Sequence, residues 1–129
     1  MDPAKRTPLH YAALDGDGQE VARLLAQGAD PDAADVQGFV PLHFAAQEFH
    51  PEGVRLLLEG GATVDAVNAF GNTPLHTAVF NSDGRGEIIA LLRASGADPL
   101  HANDSGRTPV ELARLIGSSD VAQYFADLP

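Results

Sequence analysis

His10, His43 and His76 lie 33 residues apart, each third after the first residue of a TPLH or VPLH segment. Three imidazoles are a ligand set used by catalytic zinc centres, so metal binding is the first chemistry to weigh. At equivalent places in successive helical units, however, the rings stand as far apart as packed helices, about 8–10 Å. Zinc takes nitrogen at about 2.0–2.1 Å, so the three cannot share one ion. The expected role is structural, with the ring bonding back to the cap of its own helix. His50 and His101 have no chelating neighbour in sequence.

Two tracts suggest calcium, DGDG at 15–18 and NSDGRGE at 81–87. A helix-loop-helix calcium site needs glycine at its sixth position and glutamate at its twelfth. Counted from Asp15 those positions hold Glu20 and Ala26, and the match fails. NSDGRGE reads as a lengthened turn. Asp30, Asp32 and Asp35 could be imagined as paired acids, but general acid–base chemistry needs a pocket that drives pKa values apart. In a polar turn they read as solvated turn formers. With no nucleophile elbow, phosphate loop or dinucleotide fingerprint, neither an enzyme nor a cofactor is expected.

The totals narrow the partners. The 129 residues suit one domain. Eighteen acidic residues against eight basic ones give a net charge of -10, which repels phosphate backbones and anionic membranes. Neither nucleic acid nor membrane is an expected partner. Without cysteine there is no disulfide framework or thiolate site. The first ten residues, MDPAKRTPLH, lack the apolar run of a signal peptide, and no segment approaches the roughly 20 apolar residues of a membrane span. A cytoplasmic location is the default expectation. Arg outnumbers Lys seven to one, a bias compatible with a bacterial source.

The chain repeats. TPLH at 7–10, VPLH at 40–43, TPLH at 73–76 and TPVE at 108–111 are spaced by 33, 33 and 35 residues. LLAQGAD at 24–30, LLEGGAT at 57–63 and LLRASGAD at 91–98 follow in register. Thr7, Thr73 and Thr108 suit helix N-caps, and the following prolines suit the first helical position, where a missing N–H costs nothing. Thr108 and Glu111 form a capping-box pattern. Val40 breaks the series and gives up a side-chain cap. A second helix carries Val21, Leu24, Leu25, then Val54, Leu57, Leu58, then Ile88, Leu91, Leu92, one buried stripe in each unit. Gly28, Gly61 and Gly96 fit the left-handed residue that ends a helix. Phe49 stands where Gly16 and Gly117 close their first helices, so it either adopts a costly left-handed conformation or belongs to a rebuilt turn.

Four registered copies of this T-P-L-H…LL…GAD pattern resemble the ankyrin repeat over essentially the whole chain. The resemblance implies an all-α solenoid of helix-turn-helix units joined by hairpin-like loops. It forms one domain, 1–129, with repeats at about 1–35, 36–68, 69–103 and 104–129 and with the first and last as caps. Asp2 matches Asp35, Asn68 and Asn103 in register. The resemblance also implies a protein-binding surface on the loop tips and the concave face of the first helices. Carried over by position, that surface comprises Val36, Gln37 and Phe39; Ala69, Phe70 and Asn72; Asp104, Ser105 and Arg107. On the first helices it adds Leu14, Asp15, Gln47, Glu48, Phe80 and Asn81.

Aromatic residues are favoured interface anchors, and three of the six phenylalanines fall in this set. Phe70, between Ala69 and Gly71 at a tip, has few packing partners. Phe80 shares its register with Leu14, Gln47 and Leu115, which suggests partial burial as well as contact. Phe39 precedes the cap position and Phe44 lies inside the helix, the spacing of a hydrophobic staple. It fits staple and contact equally. Asp15, Asp17, Asp30, Asp32, Asp35, Glu48 and Asp104 make the loop side acidic, which would attract a basic partner. The expected function is protein–protein interaction with a basic protein, by a chain that is monomeric when free. The alternative is a bacterial immunity or antitoxin-type stoichiometric inhibitor of a cationic toxin or enzyme. An ion- or small-ligand-binding role is more remote.

Overall fold

A computed structural model describes residues 2–116 and 119–129, with side chains described at all of these except 119 and 120. Gly117, expected to end a helix, lies outside the described residues. Helices α1 (Pro8–Asp15) and α2 (Gly18–Ala26) form the first pair, α3 (Pro41–Gln47) and α4 (Pro51–Glu59) the second. Helices α5 (Pro74–Phe80) and α6 (Glu87–Ala94) form the third, and α7 (Pro109–Ile116) is followed by the short α8 (Ser119–Ala122) and a 3-10 turn, Gln123–Phe125. The first helices stack in the order α1, α3, α5, α7 and the second in the order α2, α4, α6. No strand occurs among the described residues.

The N-terminal signals act as expected. Thr7 and Thr73 hydroxyls accept from the amides of His10 and His76, each at 3.4 Å. The Thr108 hydroxyl accepts from the Glu111 amide at 3.2 Å, and a Glu111 carboxylate oxygen accepts from the Thr108 amide at 3.3 Å. Gly28, Gly61 and Gly96 take φ of 91°, 93° and 92°. Of the expected stripe, Val21, Val54, Leu57, Ile88 and Leu92 are buried, while Leu24, Leu25, Leu58 and Leu91 are only partly covered. Ile89 and Phe125 join this core, a role the repeat pattern does not single out.

The histidines do more than serve their own caps. His43 Nδ1 accepts from the Val40 amide at 3.1 Å, which leaves the ring proton on Nε2. That nitrogen donates to the Asn72 carbonyl of the next repeat at 2.9 Å. His10 reaches the Phe39 carbonyl at 2.8 Å and His76 the Arg107 carbonyl at 2.9 Å in the same way. Each ring is fully buried. A buried histidine thus joins each repeat to its successor. Burial holds the His43 and His76 rings below the ordinary histidine value.

The inter-helix turns differ more than the helices do. Phe49 adopts the left-handed conformation, φ 54°, and its ring lies 3.7 Å from the Arg85 guanidinium carbon of the following turn. The lengthened turn at 81–86 bends through Asp83, φ 51°, and Gly84, φ 80°. Phe49 serves the fold.

Two outcomes follow from these bonds. Val40 is 4% exposed and lacks the hydroxyl that Thr73 uses at the same buried place. Val40→Thr should therefore raise stability by about 1 kcal/mol, read as an increased melting temperature; an unchanged value would show that the cap is already made good elsewhere. The second concerns pH. In the unfolded chain His43 and His76 bind protons near their ordinary value of 6.5, while in the fold they resist protonation. Their contribution is complete above pH 6.5 and is lost as the pH falls toward the folded value. Denaturant unfolding should thus show lower stability at about pH 5.5 than at about pH 7.5, and a flat profile would contradict the bridge.

Candidate functional site

Each hairpin is set by one side chain at its base. The Asp35 carboxylate accepts from the amides of Gln37 and Phe39, both at 2.9 Å. Asn68 does the same for Phe70 and Asn72, and Asn103 for Ser105 and Arg107. Asp2 accepts from the Ala4 amide at 2.8 Å, so the register expected for it holds. At the tips Gly38, Gly71 and Gly106 take positive φ, and Lys5 takes 59° at the same position. The tips are then bonded in series. Val36 N–H donates to Ala4 at 2.8 Å, Ala69 N–H to Gln37 at 2.8 Å, and Asp104 N–H to Phe70 at 3.1 Å.

This row exposes Val36, Gln37, Ala69, Phe70, Asp104, Ser105 and Arg107. Phe70 is 52% exposed. Phe39 is half-buried: it stacks on Phe44 with centroids 5.4 Å apart and planes at 16°, and meets Phe70 edge to face at 6.4 Å. The staple is therefore present, and its outer ring adjoins the exposed one. Arg6 covers Phe44 from the other side at 4.8 Å. Sequence spacing does not reveal this run of Arg6, Phe44, Phe39 and Phe70, because its members come from three repeats.

Other expected residues separate from that row. Asn72 is half-buried, its carbonyl bonded to His43 and its side-chain oxygen to Asn103 at 2.8 Å. Its side chain helps to tie successive hairpins together. Gln47 is half-buried, whereas Glu48 and Asn81 are exposed at helix ends, with Asn81 Nδ2 donating to the Thr77 carbonyl at 2.9 Å. Phe80 closes α5 and is 64% exposed, and Leu115 in the same register is 62% exposed. The partial burial expected for Phe80 is corrected: Phe80 and Leu115 face outward, whereas Leu14 and Gln47 in the same register are half-buried. Phe80 and Phe70 thus form two patches along the repeat. Tyr11, 40% exposed with its hydroxyl bonded to the Asp2 carboxylate, is a surface residue the sequence reading missed. Tyr11 shares its register with Phe44, Thr77 and Leu112, all buried, so its place in the repeat gives no sign of its exposure.

The acidic set also needs correction. Asp35 is 6% exposed and pairs with Arg6 at 3.4 Å, so it is no solvated loop residue. Asp17 caps α2 by accepting from the Glu20 amide at 3.1 Å. Asp32 holds the Thr63 amide and hydroxyl at 2.8 and 2.7 Å, bridging two repeats. Asp15, Glu48 and Asp104 stay exposed.

An apolar hollow of about 340 Å³ lies at the first repeat, lined by residues that include Leu9, Leu24, Ala29 and Ala33. Among the described residues, no group of three or more His, Asp or Glu stands close enough to hold a metal, and no helix is long and apolar enough to cross a membrane.

A stack of helix pairs with hydrogen-bonded hairpin tips defines a repeat solenoid. The family model described as ankyrin repeats (3 copies) matches residues 1–68 and 42–128, and the chain belongs to the ankyrin-repeat family. Proteins of this family generally act as protein–protein interaction modules. No curated protein matches the chain.

The two Phe environments differ measurably. Phe39→Ala removes a stacked pair and an edge contact and should cost about 1–2 kcal/mol of stability. Phe80→Ala, on an exposed ring, should shift the melting temperature little. Equal destabilisation by both would contradict this assignment.

Proposed function

We propose that the chain binds a basic protein through its hairpin tips and the concave face of α1, α3, α5 and α7, with no chemistry of its own. The observation that carries this reading is the exposure of Phe70 and Phe80, 52% and 64%, on a surface where aromatic side chains are not needed by the fold. Such rings favour contact with a partner because they bury large area at small entropic cost.

Charge supports the choice of partner. On this side Arg6 is paired with Asp35 and Arg107 lies 3.9 Å from Glu111, while Asp15, Glu48 and Asp104 make no ion pair among the described residues. The net charge of -10 would accelerate encounter with a cationic protein and oppose nucleic acid or an anionic membrane. A stoichiometric inhibitor of a cationic toxin or enzyme is the tightest form of the same reading. A monomeric free chain would leave the whole face available.

Affinity capture from the native cell, followed by titration of the purified partner, tests the proposal. The expected result is one basic protein bound one to one. Phe70→Ala with Phe80→Ala should weaken it by at least about 2 kcal/mol while the melting temperature falls by no more than loss of the Phe39–Phe70 edge contact explains. An acidic partner, or affinity indifferent to both rings, would overturn it.

A further inference from the structure

Three of the seven arginines lie over an aromatic ring of this same chain. Arg6 sits over Phe44 at 4.8 Å, Arg85 over Phe49 at 3.7 Å and Arg93 over Phe125 at 5.5 Å. In two cases a carboxylate holds the same guanidinium: Asp35 meets Arg6 at 3.4 Å, and Asp127 meets Arg93 at 2.6 Å. The chain thus twice builds a guanidinium site from one phenyl ring and one carboxylate.

A third ring and carboxylate occur together without an arginine. The Phe70 ring is 52% exposed and braced at 6.4 Å by Phe39. The Asp104 amide donates to the Phe70 carbonyl at 3.1 Å, which fixes the next hairpin tip beside it. Asp104 Oδ1 lies over Gly71, where an added Cβ would come within 2.5 Å of it. Glycine at 71 therefore leaves room for the carboxylate against the backbone of the tip that carries Phe70. Arg107, in the same hairpin, lies 3.9 Å from Glu111 instead, and the Asp104 carboxylate has no hydrogen bond or ion pair among the described residues. The equivalent tip positions are Val36 and Ala69, so this tip alone of the three carries the acid.

We infer that Phe70 and Asp104 form a receptor for one arginine presented by the partner, the guanidinium lying against the ring and pairing with the carboxylate. This rests on the basic-partner reading above and narrows it. Arginine fits better than lysine because a planar guanidinium can stack on a ring while its N–H groups still reach a carboxylate. A compact, strongly hydrated ammonium loses more on leaving water.

Amide-detected NMR titration at low salt tests the site with two blocked peptides, Gly-Arg-Gly-Arg-Gly-Arg-Gly and its lysine counterpart. The arginine peptide should move the amide signals of Phe70, Gly71 and Asp104 and bind about threefold or more tightly than the lysine peptide. Asp104→Asn, Phe70→Ala and Phe70→Leu should each weaken it about threefold or more, the leucine variant keeping an apolar side chain without the ring face. Asp15→Asn removes the same charge at the end of α1 and should leave affinity nearly unchanged. Equal affinity for the two peptides, or equal loss in Asp15→Asn and Asp104→Asn, would overturn the receptor while leaving a generally basic partner in place. Failure of both peptides to bind at low salt would overturn the receptor and the basic-partner reading together.

Discussion

The fold depends on a buried imidazole that cannot afford a proton. His43 accepts from its own cap amide and donates to the carbonyl of the repeat that follows, and His10 and His76 repeat the arrangement. A polar ring inside a stack of short helices is tolerable because both nitrogens are satisfied. Its loss would strand a buried amide on one side and a carbonyl on the other. Local cap geometry and long-range stacking therefore share one side chain, so the hairpins are held by the same groups that start the helices.

With the stack secured inside, the hairpin tips are free to carry side chains that the fold does not require. Asp35, Asn68 and Asn103 fix the loops from their bases, and backbone bonds join the tips in series. The result is a fixed row in which Phe39 belongs half to the core and Phe70 mostly to solvent. Fixing an exposed ring in advance lowers the entropy that a partner must overcome. The acidic residues divide similarly between those consumed by the fold, such as Asp17, Asp32 and Asp35, and those left outside.

Much of this was legible from the sequence because each repeat is a local unit with its own punctuation. Threonine caps, first-turn prolines and left-handed glycines all stand where the spacing of TPLH and GAD puts them. The pattern also reads the histidines as structural, but shows only half of their bonding, since the carbonyl that accepts from the ring lies 29 to 31 residues away. The site was less legible for the same reason. Whether Phe80 is covered depends on the neighbouring repeat, and equating it with Leu14 and Leu115 suggested burial where there is exposure. Asp35 looked like a loop acid because Arg6, which covers it, lies 29 residues away in sequence. Composition counts charges; only the stack decides which are spent.

Nitrogen-detected NMR of the imidazole rings tests this division most directly. At pH 6.5, where an ordinary histidine is half protonated, His43 and His76 should appear as neutral rings with the proton on Nε2. Rings that are half protonated there, or that carry the proton on Nδ1, would contradict the bridge and with it the claim that the repeats are held from within.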